Sequence, residues 1–248
     1  DEALYAPGLG YYAAGSAKLA EGGRRPSGDF VTAPELTPLF AQTLARQVAE
    51  VLEACGGLEV LEFGAGTGAL AAGLLAALDE LGVPARYRIV EVSADLRDRQ
   101  RARLAAHGGR VEWLDTLPAS FVGCVVANEV LDAMPVRLFH WTDAGLQERG
   151  VILQGDEGFA WQDRAAPADL AQAVEARMPP LPGYVSEINP QGEAFVRGMG
   201  AWLQAGAALL IDYGFSRAEY YHPQRMGGTL MCHLRHVAHA DPLVAVGV

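Results

Sequence analysis

The stretch Glu62-Phe63-Gly64-Ala65-Gly66-Thr67-Gly68 is the first pattern in the chain able to do chemistry. Glycines at alternate positions let the backbone approach a ligand closely, and a helix opening behind them offers free N–H groups. That combination suits a nucleotide-type cofactor. Spacing alone leaves its identity open, because Gly64 to Ala69 also fits the G-x-G-x-x-A turn of dinucleotide sites. Two acids shift the balance. Glu62, directly before the turn, would repel a pyrophosphate but can receive the cationic amino-acid end of S-adenosyl-L-methionine. Glu91, ending the predicted strand "RYRIVEVS", can accept from both ribose hydroxyls, a feature shared with nicotinamide enzymes. Ala65 within the turn and Val92 beside Glu91 join the candidate cofactor-binding set. Asp115, after the predicted strand "RVEWLD", can meet an adenine amino group or cap a turn.

A second constellation is Asn128-Glu129-Val130-Leu131-Asp132, at the carboxyl end of the predicted strand "FVGCVVAN". Open α/β sheets place their ligands at such ends. Polar groups following "CVVA" are poorly explained as core. Asn128 can fix cofactor or substrate through its amide, and Glu129 and Asp132 can bind a cationic acceptor; the plainer role for the acids is a helix N-terminus. Methyl transfer is an in-line displacement, so the main requirement is alignment of acceptor and methyl with water excluded.

These residues need a scaffold, and the periodicity supplies one. Helical and strand-like patterns alternate in the order of βα units, which predicts a parallel sheet and an α/β fold. Thr37 and Pro38 read as N-cap and first residue of a helix whose apolar stripe is Leu39, Phe40, Leu44, Val48, Val51 and Leu52, stopped by Gly56 and Gly57. "LEVLEF" is a strand, "ALAAGLLAAL" a helix, Asp95 to His107 a charged helix, and "GAALLIDYGF" a fifth strand. Between the fourth and fifth strands, "RLFHWTDAGLQERGVILQGDEGFAW" alternates around Asp-Ala-Gly and Gly-Asp-Glu-Gly, which predicts antiparallel hairpins. Helices near Ala166 to Met178 and Gln191 to Leu203 return the chain to the sheet. The expected organisation is one main domain: a flap and helix at 1–55, a Rossmann-like core at 56–135, a β-rich insertion at 136–190, and a return to the sheet with a His-rich segment at 191–248.

Composition narrows the functions. The chain has 248 residues, half of them hydrophobic, and a net charge of -11. That charge argues against sequence-independent binding to nucleic acid or anionic lipid and leaves a basic partner easier to accommodate. Apolar runs such as Ala207 to Ile211 are far too short to span a membrane. With only Cys55, Cys124 and Cys232 at irregular spacing, a disulfide framework is not expected, and a soluble protein of a reducing cytoplasm fits. The sequence opens at Asp1 without methionine, so it is expected to be part of a longer protein. Cys232, His233, His236 and His239 lie close together, but their spacing matches no standard zinc motif and no metal is expected. Tyr184, Trp141 and Trp161 are either acceptor-groove aromatics or core.

Taken in order, "GDFVTAPE", "EFGAGTG", "NEVLDAMP", "YVSEINP", "LLIDYG" and "GTLMCHLRHVAH" resemble the successive signatures of the MidA-like S-adenosylmethionine-dependent methyltransferases, from Tyr5 to His239. The resemblance implies a class I methyltransferase fold, with helices on both faces of a Rossmann-like sheet. It implies S-adenosyl-L-methionine as cofactor and S-adenosyl-L-homocysteine as product. It also implies a protein arginine as acceptor, since mitochondrial members are protein arginine methyltransferases acting on a respiratory complex I subunit. Carried to matching positions, Gly64, Gly66, Gly68 and Glu91 would hold the cofactor, with Asn128 and Glu129 facing the methyl group. Gly28, Asp29, Phe30 and Thr32 would form a flap over the donor, although Thr32-x-x-Glu35 also fits a capping box. A guanidinium is protonated at neutral pH and a poor nucleophile. The carboxylates expected to grip it and assist proton loss are Glu129, Asp132, Asp29 and Glu187, the last also placed to open a helix. The competing expectations are a nicotinamide-dependent oxidoreductase, a scaffold protein that keeps the fold without turnover, and a small-amine methyltransferase.

Overall fold

The alternation of strand and helix along the chain is realised as a parallel sheet. The computed structural model describes residues 2–6, 9–11, 31–155, 158–234, 237–244 and 246. Its elements begin with α1 (Glu2–Tyr5), α2 (Ala33–Leu36), α3 (Pro38–Cys55), β1 (Glu59–Phe63), α4 (Ala69–Glu80), β2 (Arg86–Val90) and α5 (Ala94–Arg103). A short 3-10 turn (Ala105–Arg110) leads to β3 (Val111–Leu114), β4 (Phe121–Asn128), β5 (Arg137–Thr142), β6 (Gly145–Leu153), β7 (Phe159–Ala165) and α6 (Ala168–Glu175). Then come β8 (Val185–Ile188), α7 (Pro190–Trp202), β9 (Leu203–Ile211), α8 (Arg217–Tyr220), β10 (Cys232–Leu234) and β11 (Val237–His239). The described residues form two units, one within 1–133, 195–212 and 234–236, the other within 134–194, 213–233 and 237–248.

The first unit carries the sheet, in the order β3-β2-β1-β4-β9, with every neighbouring pair parallel. Val60, Tyr87, Ile89, Cys124 and Val126 pack on one face with Ala41, Ala45, Val48 and Leu52 of α3 and Leu70, Leu74 and Leu78 of α4. Leu61, Phe63, Phe121 and Val125 pack on the other with Met199 and Trp202 of α7. Both faces are covered, so the central strands read as continuous apolar runs rather than alternating ones. Phe63 meets Phe195 edge-on, with ring centroids 4.9 Å apart, a geometry that adds about 1 kcal/mol to the area buried.

Thr37 caps α3 as expected, accepting from Leu39 N at 3.3 Å, and Gly56 ends it in the left-handed region. The expected stripe holds except at Leu39: Val48 and Leu52 are buried, Phe40, Leu44 and Val51 are partly buried against the same core, and Ala41 and Ala45 join them, while Leu39 is 65% exposed. Positions 41, 45, 48 and 52 follow a single helix face. Leu39 falls off it, and small alanines admit α4 closely. The capping box at Thr32 does not form either. Thr32 is the N-cap of α2, but its side chain makes no capping hydrogen bond, and the Glu35 side chain accepts from Thr67.

The second unit is built on the expected hairpins, as an antiparallel sheet of order β7-β6-β5-β8. Leu170 and Val174 of α6 pack on Phe139, Trp141 and Tyr184. Trp141 and Tyr184 are therefore core side chains, whereas Trp161 is 36% exposed. Cys232, His233 and His239 lie on β10 and β11, which pair with each other, and His236 lies outside the described residues. Among the described residues no group of three or more His, Cys, Asp or Glu is placed to hold a metal ion, and no helix is long and apolar enough to cross a membrane.

Candidate cofactor and acceptor site

Where β1 ends, the chain turns through Gly64, Gly66 and Gly68 at φ 60, 54 and 82. These are left-handed conformations that cost side-chain-bearing residues energy, which explains the alternate glycines. Gly68 N donates to Ala65 O at 2.8 Å and closes the turn, and α4 begins at the next residue. Thr67 is buried beneath it. Its hydroxyl donates to Glu35 of α2, and Arg103 of α5 donates to both, at 2.7 Å to Glu35 and 2.6 Å to Thr67. The segment ahead of the sheet is thus tied to the underside of the glycine turn.

Glu91 follows β2 and is buried. Its Oε1 accepts from Ser93 N at 3.0 Å, and its Oε2 accepts from Gln100 Nε2 at 3.1 Å. Burial pushes its carboxyl up, and those hydrogen bonds oppose the shift. Gln100 Nε2 also donates to Gly66 O at 2.9 Å, and Gln100 Oε1 accepts from Trp113 Nε1 at 2.9 Å. Arg97 spans the neighbouring strand ends, donating to Glu91 O, Leu114 O and Asp115 at 2.7, 2.9 and 2.6 Å. Asp115 is exposed and so held at the tip of β3, and Val92 is 82% exposed beside Glu91.

Glu62 is buried under the turn and accepts from the Tyr87 hydroxyl at 2.7 Å. Burial, reinforced by the Glu91 charge and only partly offset by Tyr87, pushes its carboxyl up to about 8. At neutral pH it is mostly a neutral acid until a cation comes near.

The end of β4 completes the arrangement. Asn128 is half-buried, and Glu129 sits at φ 53, the one non-glycine residue with positive φ among the described residues. Such strain persists only where surroundings over-determine it. Here Glu129 N donates to Ile211 O at 2.8 Å, and Leu131 N and Asp132 N both donate to Asp212 Oδ2, at 2.8 and 3.2 Å. A Cβ on Gly64 would lie 3.2 Å from Val130 Cγ2, so this loop rests against the glycine turn. The Tyr5 hydroxyl donates to Ala133 O at 2.8 Å; burial, then Asp132 and Glu91, push its phenol up. Glu62, the glycine turn, Glu91 and the Asn128–Asp132 loop are therefore gathered at the carboxyl ends of β1, β2 and β4.

Other candidates lie elsewhere. Gly28, Asp29 and Phe30 are outside the described residues, and Thr32 stands at the start of α2. Glu187 belongs to the second unit and is buried. Its Oε1 accepts from Tyr220 OH at 2.5 Å, Thr229 N at 2.8 Å and Thr229 Oγ1 at 2.6 Å, which ties the 220–229 segment to β8.

Gln100, Asp212, Tyr5 and Glu35 escaped sequence reasoning as site residues. Asp212 carried a signal, an acid ending an apolar strand in "LLIDYG", like Glu91 in "RIVEVS". Gln100 carried almost none, since "ADLRDRQRAR" reads as a solvated charged helix.

Residues 43–248 match the family model described as "Putative S-adenosyl-L-methionine-dependent methyltransferase". The chain superposes on a crystal structure of a COG1565 superfamily member from Burkholderia thailandensis bound to S-adenosyl-homocysteine with a TM-score of 0.90. The two are 53% identical, and the match covers 99% of this chain and 64% of that one. A native crystal structure of a COG1565 superfamily protein from the same organism gives a TM-score of 0.87 at 52% identity, covering 99% and 63%. More distantly, the chain is 27% identical over 253 residues to the mitochondrial protein arginine methyltransferase NDUFAF7 of Danio rerio, covering 86% of this chain and 56% of that protein. The Mus musculus protein of the same name is 26% identical, with 99% and 60% covered. The chain thus spans a little over half the length of these curated relatives. On the family match and the parallel sheet that carries its glycine turn, the chain belongs to the S-adenosyl-L-methionine-dependent methyltransferases of that family.

Proposed function

We propose that this chain binds S-adenosyl-L-methionine at the carboxyl ends of β1, β2 and β4 and directs its methyl group to an arginine of a protein substrate. The observation that carries the first part is the hydrogen-bonded unit joining the left-handed glycine turn to the buried carboxylate of Glu91 through Gln100. The residues present fit the group. Gly64, Gly66 and Gly68 present a backbone that bears no side chains and turns through left-handed conformations, Glu91 keeps acceptor capacity for a ribose diol, and Glu62 can ionise beside an ammonium. S-adenosyl-homocysteine bound to the 53%-identical relative supports the same ligand here.

When bound, the cofactor supplies an electrophilic methyl on a sulfonium. The chain's own contribution is alignment. Asn128 orients through its amide. Glu129, strained into a fixed direction, and Asp132 provide carboxylates for a cationic acceptor, holding one guanidinium nitrogen toward the methyl and taking up its proton. Arginine as acceptor is supported by the names of the NDUFAF7 relatives and by this pairing of carboxylates.

Calorimetric titration with S-adenosyl-homocysteine, with NAD and NADP as controls, tests the cofactor. Binding of S-adenosyl-homocysteine alone, abolished in Glu91→Ala, is expected; NAD binding would overturn the reading. Transfer of labelled methyl into candidate proteins, read by mass spectrometry, tests the acceptor. Methyl found only on small amines would overturn the arginine assignment.

A further inference from the structure

We propose that Gln100 is a positioning residue for the cofactor's ribose: its amide sets the direction of the Glu91 carboxylate and locks it to the glycine turn, so that selectivity for the ribose diol depends on a side chain outside the pocket lining. The inference rests on Glu91 being the ribose-reading acid. Gln100 has no exposed surface, and burying a primary amide is costly unless its groups are paired. Here the pairing is complete in kind. One N–H goes to Gly66 O at 2.9 Å, the other to Glu91 Oε2 at 3.1 Å, and the amide oxygen accepts from Trp113 Nε1 at 2.9 Å.

The orientation of the amide is over-determined. Flipping it would set its oxygen against the Gly66 carbonyl and the Glu91 carboxylate and its NH2 against the indole N–H, three repulsive pairs in place of three bonds. Trp113 thus holds Gln100 in the one orientation that donates to both β-strand tips. The consequence for Glu91 is geometric. A carboxylate offers about four lone-pair directions. Ser93 N holds Oε1 and Gln100 holds Oε2, with the Val92 backbone N–H also directed at the carboxylate, so both oxygens are fixed in place and rotation about the terminal bond is prevented. Two fixed acceptors on one carboxylate are what a vicinal diol needs. The bond to Gly66 O couples that direction to the turn, so ribose-binding and backbone-binding parts of the site keep their spacing. Close packing reinforces this, since a Cβ on Gly68 would meet Gln100 Cα and Cγ at 3.5 Å.

The test compares dissociation constants for S-adenosyl-homocysteine and its 2′-deoxy analogue in wild type and Gln100→Met, which keeps size and removes the hydrogen bonds. Wild type is expected to prefer the diol by about tenfold or more, the worth of one charge-assisted hydrogen bond. Gln100→Met should weaken S-adenosyl-homocysteine by about tenfold while barely affecting the analogue, collapsing the preference. A merely structural role would weaken both ligands alike. A folded Gln100→Met that retains the wild-type ratio overturns the inference while leaving the cofactor reading intact; failure of wild type to bind S-adenosyl-homocysteine overturns both. Trp113→Phe, which frees the amide without touching Glu91, is the second variant should Gln100→Met not fold. It is expected to lower the ratio in the same direction, and an unchanged ratio there overturns the inference.

Discussion

The Tyr87 hydroxyl donates to the Glu62 carboxyl at 2.7 Å with both side chains buried, so one of the acids nearest the glycine turn is an uncharged group in the free protein at neutral pH. Its folded value of about 8 lies above its ordinary 4.5. Between those values the native state keeps a proton that the unfolded chain has released, so stability is full below about 4.5, falls as pH rises, and levels off above about 8. The slope is up to about 1.4 kcal/mol per pH unit. Urea melts across this window should show a steeper fall in wild type than in Glu62→Gln, where the raised carboxyl of Glu91 still contributes.

Glu91→Gln keeps the shape of the proposed ribose acceptor and removes its charge. Each diol hydrogen bond weakens, so affinity for S-adenosyl-homocysteine should drop about tenfold to a hundredfold. Thermal stability should fall by about 1–3 kcal/mol, because the amide NH2 must face the N–H of either Ser93 or Gln100 and leaves that buried donor unpaired. Calorimetry and a thermal melt on the same sample check both directions.

Glu129 separates stability from turnover. Its φ of 53 is a conformation glycine adopts freely, so Glu129→Gly should stabilise the fold by up to about 1 kcal/mol. The same substitution removes an acceptor-facing carboxylate, and methyl transfer should fall by about two orders of magnitude, the range for a lost acid–base group. A gain in Tm with retained activity would remove Glu129 from the proposed machinery.

Asp212→Ala leaves the N–H groups of Leu131 and Asp132 without their acceptor. A destabilisation of about 1–3 kcal/mol is expected. The loop should also lose its grip on acceptor more than on cofactor, so KM for the acceptor rises while S-adenosyl-homocysteine affinity changes little. Steady-state kinetics beside calorimetry separates the two.

In the second unit, Gly228 sits at φ +74, and a Cβ there would lie 2.1 Å from Glu187 Oε2. Gly228→Ala therefore combines backbone strain with a clash against a buried carboxylate, and should destabilise by about 3 kcal/mol or more. Limited proteolysis should cut first within 220–229, the segment that Glu187 holds.

Much of the site was readable because its parts sit next to each other in the chain. The turn after β1 needs φ values that glycine alone adopts without strain, so its conformation is written in consecutive letters. Glu91, Asn128 and Asp212 each stand where an apolar strand stops, the position at which a parallel sheet exposes its carboxyl end. The misreadings share a different cause. Glu35 and Thr32 form a local capping pattern, and only packing of α2 beside the glycine turn gave Glu35 the stronger partners Thr67 and Arg103. Leu39 fits a helical stripe, and only the packing of α4 centred the buried face on Ala41 and Ala45 and left Leu39 outside it.

By itself, then, the sequence determined the order of strands and helices, the glycine turn and the acids at the strand ends, since each depends on local conformational preference or periodicity. Tertiary structure alone decided that Gln100, in a helix that reads as solvated, would be buried between β2 and the turn, that Glu62 would lose its charge, and that Glu187 would anchor 220–229. Those outcomes depend on desolvation and on partners distant along the chain, and neither quantity is carried by any short stretch of residues.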